Sequence, residues 1–179
     1  MEIKNIQENQ NKAIKNLNNI ISLLSNYQPK ENKILKQYAK DFLNYNIDEE
    51  TDRQMLIQSL TAIRNDLSTM TRNDYSVSDT GKAYVRRSFK NSEYEKTMWI
   101  PKLMIYASQK NDSISMSSPL DAILVHETSH KVLNTIDILY FSKGDILNDL
   151  DPIEKRLNAD NWTGFYQALT CGVTIRRIL

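Results

Sequence analysis

The sequence predicts an α+β domain that is mostly helical, with a small antiparallel sheet in the middle of the chain. Three observations carry that expectation. Before Thr71, apolar side chains recur at three- and four-residue spacing, the period of helices that pack on one face. Between Thr71 and Ser118 this gives way to short runs of β-formers bounded by polar loops. A third stretch, Ser118 to Leu133, opens on a proline, continues as an apolar run and holds both of the chain's 2 histidines.

Taken in order, Ile3, Ile6, Ala13, Leu17, Ile20 and Leu24 form one stripe, widened by Ile14 and Ile21, so a helix is expected over 3–25. Gln10 interrupts the seam. Pro29 breaks the chain. A second helix is expected over 31–45, with Ile34, Leu35, Tyr38, Phe42 and Leu43 on one side. A third, over 50–70, runs through Leu56, Leu60, Ile63, Leu67 and Met70, with Asp48 or Thr51 as its cap. The polar run Ser76–Gly81 reads as a turn. Strands are expected at Ala83–Arg86 and Met98–Tyr106, the latter an edge or a bulge because Pro101 cannot donate to a ladder. The loop from Ser108 leads to Ser118-Pro119-Leu120-Asp121, which has the form of a capping box with proline at the first helical position. There is no internal repeat and no Gly- or Pro-rich linker. One domain over 1–179 is expected, with a helical part (1–73) followed by sheet, motif helix and C-terminal helices (74–179).

The 179 residues suffice for one core, and 40% apolar with 25% charged content is ordinary for a globular chain. Basic and acidic residues number 23 and 22, a net charge of +1, so neither nucleic acid nor an anionic membrane is an expected partner. Arg86-Arg87 and Arg176-Arg177 are too small to alter that balance. A single cysteine, Cys171, excludes an intrachain disulfide and points to a reducing compartment. Residues Met1–Gln10 lack the apolar core of a signal peptide, and no run reaches the ~20 apolar residues of a membrane span. The expectation is therefore a cytoplasmic protein, or one exported by a specialised secretion system into a target cell.

The chemistry concentrates in Asp121-Ala-Ile-Leu-Val-His-Glu-Thr-Ser-His130. On a helix, His126 and His130 project from one face a turn apart, where two imidazoles can hold one Zn²⁺. Glu127, next to the first of them, can hold the metal's water; together they form H-E-x-x-H, the pattern of zinc peptidases. Ala122–Val125 before the motif and Val132-Leu133 after it make the helix a buried one, and the pair Thr128-Ser129 is uncharged, as packing requires.

Two histidines do not complete a catalytic zinc site, for which three protein ligands plus water are usual. With no histidine left, the third must be Asp or Glu, or else Cys171. A metzincin needs Gly and His where Leu133 and Ile136 stand, so that class is excluded. A gluzincin would need a later glutamate, and Glu154 is the candidate.

Asn134-Thr-Ile-Asp-Ile-Leu-Tyr-Phe141 resembles the G-T-x-D-x-x-Y-G motif of the aspzincins, the deuterolysin and peptidyl-Lys metalloendopeptidase family. Asp151-Pro-Ile-Glu-Lys-Arg-Leu-Asn-Ala-Asp-Asn-Trp-Thr-Gly-Phe165 is similar to that family's D-P-x-x-A-x-x-N-A-D-N-x-x-x-F segment. The resemblance implies a zincin-like metallopeptidase fold with one zinc ion held by His126, His130 and Asp137. It implies Glu127 as general base on the zinc-activated water and Tyr140 as hydrogen-bond donor to the oxyanion. Asp160 would line the substrate pocket together with position 163, where Lys-specific members carry a glutamate and this chain has Thr163. The motif's first and last glycines are Asn134 and Phe141 here, and the family's disulfide cysteines are missing. The implied activity is a zinc endopeptidase acting on a protein or peptide substrate. The lack of a signal peptide and of disulfides adds the expectation of a bacterial secreted effector or toxin, with a cognate inhibitor or secretion chaperone as further partners. Two alternatives stand beside it: a catalytically weak or inactive zincin-fold binding module, and a gluzincin using Glu154.

Overall fold

In a computed structural model, which describes residues 2–87, 93–109, 119–140 and 149–170, the chain is mostly helical around a small sheet. Its order is α1 (Glu2–Ser25), α2 (Lys33–Leu43), α3 (Glu50–Thr69), a 3₁₀ turn (Arg72–Asp74), β1 (Tyr75–Ser78), β2 (Tyr84–Arg87), β3 (Tyr94–Pro101), α4 (Lys102–Gln109), α5 (Leu120–Leu133), α6 (Pro152–Leu157) and α7 (Ala159–Thr170). Among the described residues, no helix is long and apolar enough to cross a membrane.

The stripe on α1 does what its spacing predicts: Ile6, Ala13, Leu17, Ile20 and Leu24 are buried, against α3 and α5. Gln10 is buried with them. Its amide donates to the carbonyls of Leu67 (2.6 Å) and Met70 (3.0 Å) at the end of α3, where Leu67 O also accepts the Met70 N–H at 3.2 Å. A polar residue in the seam therefore closes a helix terminus. On α2, Leu35, Ala39, Phe42 and Leu43 face inward, whereas Ile34, expected beside them, is 65% exposed. The N-cap of α3 is Glu49, with no side-chain cap. Asp48 instead accepts from the Tyr27 hydroxyl at 2.7 Å and pairs with Lys36.

The sheet differs from expectation in three ways. It is mixed, in the order β1-β3-β2, with β1 parallel and β2 antiparallel to β3. β1 occupies Tyr75–Ser78, overlapping the run Ser76–Gly81 read as a turn; Tyr75 and Ser78 are buried, and the parallel partner Met98–Pro101 supplies an order that the polar composition does not. Finally, β3 is the central strand. Pro101 is its last residue, where the missing N–H interrupts no ladder, and the chain then coils directly into α4. The β-formers of 102–106 are thus helical, with Ile105 buried and Leu103 and Tyr106 turned outward.

Helix α5 runs through the middle of the fold, between α3, α7 and the sheet, and Leu120 to Val125 are all buried. Its start corrects the capping-box expectation. Pro119 is the N-cap rather than the first helical residue, and no side chain caps the helix. Ser118 lies outside the described residues. The Asp121 carboxylate faces the core, where it accepts from Lys12 Nζ at 3.0 Å and the Tyr166 hydroxyl at 2.7 Å. These bonds tie α5 to α1 and α7, as a fully buried charge requires. At the other end Lys131 Nζ reaches Asp66 Oδ2 on α3 at 2.6 Å and fixes the rotation of the turn that carries His130. Asn134 ends the helix with φ 53°, a left-handed conformation that asparagine tolerates in place of glycine.

Candidate metal centre

α5 presents His126 and His130 one turn apart, their rings nearly perpendicular (86°) with centroids 4.9 Å apart. The chain leaves α5 at Asn134 and returns across it, so that Asp137 meets both rings. Asp137 Oδ1 is 3.1 Å from His126 Nε2 and 3.4 Å from His130 Nε2, and the three ligand atoms lie within 4.8 Å of one another. Donors on a tetrahedral zinc with bonds of about 2.1 Å stand about 3.4 Å apart, so the two nitrogens and the oxygen fit that ion in type and spacing. Of the sequence candidates for the third ligand, Asp137 is therefore the one brought to the histidines. Glu154 is not: its Oε2 accepts from the Asp151 N–H at 3.0 Å and closes a capping box at the start of α6. Cys171 lies outside the described residues.

Behind each histidine stands a group that sets its tautomer. His130 Nδ1 is 2.8 Å from the Thr135 carbonyl, which can only accept, so Nδ1 carries the proton and Nε2 turns its lone pair to the site. Thr135 Oγ1 adds a contact to the same nitrogen at 3.2 Å and one to Ser129 Oγ at 2.8 Å. His126 Nδ1 faces Asp160 Oδ1 at 2.9 Å and Thr163 Oγ1 at 3.2 Å. Asp160 and Thr163, expected on the substrate side, thus stand at the outer nitrogen of His126, and Thr163 is buried there. The result is a carboxylate–histidine arrangement of the sort that raises ligand basicity. Asp160→Ala is expected to weaken zinc binding roughly 10- to 100-fold with the helix content unchanged. A competitive chelator titration reads this, and an unaltered affinity would refute the role.

Burial lowers the His126 pKa, but the hydrogen bonds of Asp137 and Asp160 and the field of Glu127 outweigh it and carry it up to about 10. Partial burial acts upward on Asp137, yet its bonds from His126, His130 and Tyr140 hold it well below the usual carboxylate range. The Tyr140 hydroxyl donates to Asp137 Oδ2 at 2.7 Å. Burial, then that bond, pushes the phenol upward, so it remains a donor at neutral pH. Glu127 is buried beside the histidines, and desolvation raises it against the pull of His126 and His130. The Val85 N–H of strand β2 hydrogen-bonds to its carboxylate.

Several residues that the sequence reading left without a role hold this geometry. Asn158 accepts from the N–H groups of Ile138 (3.0 Å) and Leu139 (3.3 Å) and donates to Leu139 O (3.2 Å). Ile136 N and O bond Leu157 O and Ala159 N, at 2.8 and 3.0 Å. The Asn158-Ala159-Asp160-Asn161 segment is therefore the frame on which the Asp137 loop hangs. The sequence motif marked the segment as a pocket element only, and nothing in the sequence marked the backbone of Val85, or Tyr94, whose ring stacks on His130 at 6.1 Å. Phe141 lies outside the described residues.

Neither a scan against protein-family models nor a search of curated proteins finds a match. Among solved structures, the chain is similar to a zinc peptidase from Grifola frondosa, with a TM-score of 0.64 and 18% sequence identity, over 93% of this chain and 94% of that one. At that identity the likeness establishes the architecture: this chain has the fold of a zinc peptidase.

Proposed function

We propose that this protein is a zinc-dependent endopeptidase of the aspzincin type, with His126, His130 and Asp137 as ligands. The observation that carries the reading is the convergence of both Nε2 atoms on Asp137 Oδ1, with Glu127 buried beside them. The zinc-peptidase fold and the order of the sequence motifs support it.

Zinc bound here would supply Lewis acidity, lowering the pKa of a water and polarising a peptide carbonyl. Glu127, held by the Val85 N–H and raised by burial, is the base that takes the water's proton and returns it to the leaving amine. Tyr140 keeps its proton and is bonded to Asp137 of the ligand cluster, so its hydroxyl, on releasing that carboxylate, is the donor for the developing oxyanion. Asp160 and Thr135 hold the two rings in the tautomers that ligation needs. Use as a delivered bacterial effector or toxin is the part of this proposal supported by cysteine content alone: with 1 cysteine, the chain needs no oxidising compartment.

The test is digestion of a denatured protein followed by mass spectrometry of new amino termini. Internal cleavage that disappears with a zinc chelator is expected; a protein that cuts nothing when loaded with zinc is not this enzyme.

A further inference from the structure

We propose that the mouth of the site is a cationic rim that selects peptides with an acidic side chain beside the scissile bond, and that Lys82 reads that side chain. The inference rests on the peptidase reading above and names its substrate class.

Lys82 is exposed, in the turn between β1 and β2, and the turn is held by Thr80 Oγ1, which donates to the Lys82 carbonyl at 3.1 Å and contacts Ser78 Oγ at 2.9 Å. The Lys82 ammonium lies 5.3 Å over the ring of Tyr140, whose hydroxyl is bonded to Asp137. A second cation stands by one of the histidines: the Arg87 guanidinium lies 5.4 Å over the Tyr94 ring, which stacks on His130. Two of the three candidate ligands thus each carry an aromatic ring, and each ring carries a cation.

The acidic groups of the centre are engaged by other partners. Asp160 faces His126 Nδ1, Asp137 faces both histidines and Tyr140, and Glu127 is buried on the Val85 N–H. Among the described residues, the Lys82 ammonium has no carboxylate partner. Among the described residues, Lys82 and Arg87 therefore place positive charge beside the ligands, and the Lys82 ammonium is open to an arriving carboxylate. An extended peptide advances about 3.3 Å per residue, so a carboxylate one or two residues from the scissile bond comes within reach of an ammonium one tyrosine ring from Asp137. Fixed complementary charges of this kind set specificity and register more than overall affinity.

The experiment uses matched peptides that differ only in Asp, Gln or Lys at the residues flanking the cleaved bond. For the zinc-loaded wild type, kcat/KM is expected to favour the acidic peptide about fivefold over the neutral one, the scale of one exposed ion pair. Lys82→Glu should invert the order, and the preference should fade with added salt. The same peptides are then bound, by fluorescence anisotropy, to zinc-loaded Glu127→Gln protein with and without Lys82→Glu. This arm reads recognition without turnover: if no peptide is cut, the peptidase reading falls while the binding order still decides the rim. Tighter acidic binding that Lys82→Glu reverses supports the proposal. Equal binding of acidic and basic peptides, or a preference that Lys82→Glu leaves in place, overturns it.

Discussion

Glu127→Gln is expected to leave zinc in place and to lower peptide hydrolysis by on the order of 10³-fold, the contribution of a positioned general base. The amide keeps the shape and the buried position of the side chain but cannot take a proton. It can still meet the Val85 N–H through its oxygen, so the helix and the neighbouring strand have no reason to move. The large effect should therefore fall on kcat, with zinc content and thermal midpoint close to wild type. Wild-type turnover in the Glu127→Gln protein would remove the glutamate from the mechanism and leave the buried carboxyl without an explanation.

Asp137→Ala is expected to cost the protein its zinc. The loss should exceed the roughly 10- to 100-fold that an outer-shell partner such as Asp160 is worth, because a donor atom itself is gone. It also leaves the Tyr140 hydroxyl without its acceptor and the two Nε2 atoms facing open space. Since the side chain of Asp137 is 35% exposed, the fold should survive, as circular dichroism would show. Glu154→Ala is the matched control. It opens the capping box of α6, at a cost of about 1 kcal/mol in stability, and leaves zinc untouched. Full zinc in Asp137→Ala together with lost zinc in Glu154→Ala would return the site to the gluzincin reading.

The first three helices were legible because each buries one face, and the 3.6-residue period writes that face into the sequence. Gln10 shows where the period misleads: it breaks the stripe in the sequence but is buried in the structure, because α3 ends against it and two carbonyls at that end accept from its amide. The sheet was less legible. β1 is four residues of mixed polarity, and its pairing partner lies 23 positions on, from Tyr75 to Met98, so the order comes from a contact that no local pattern records. Pro101 argued for an edge and stands in the central strand, since a proline at a strand's last residue costs the ladder nothing.

At the site the legible part was side-chain chemistry at fixed spacing: two histidines a turn apart, an aspartate seven residues on, a tyrosine three beyond it. What was not legible is the layer behind. Asp160 and Thr163 were read as pocket residues and meet His126 Nδ1, because α7 crosses α5 at that point. Asn158 orders the Asp137 loop through backbone N–H groups, and Val85 reaches Glu127 through its own, so neither leaves a trace in residue type.

A zinc titration of chelator-stripped protein, reading cleavage of a quenched fluorescent peptide at each addition, tests the zinc-peptidase proposal most directly. Activity should be absent without metal, rise in proportion to added zinc and level off at one zinc per chain. Cleavage by the metal-free protein, or none at full zinc loading, would contradict it.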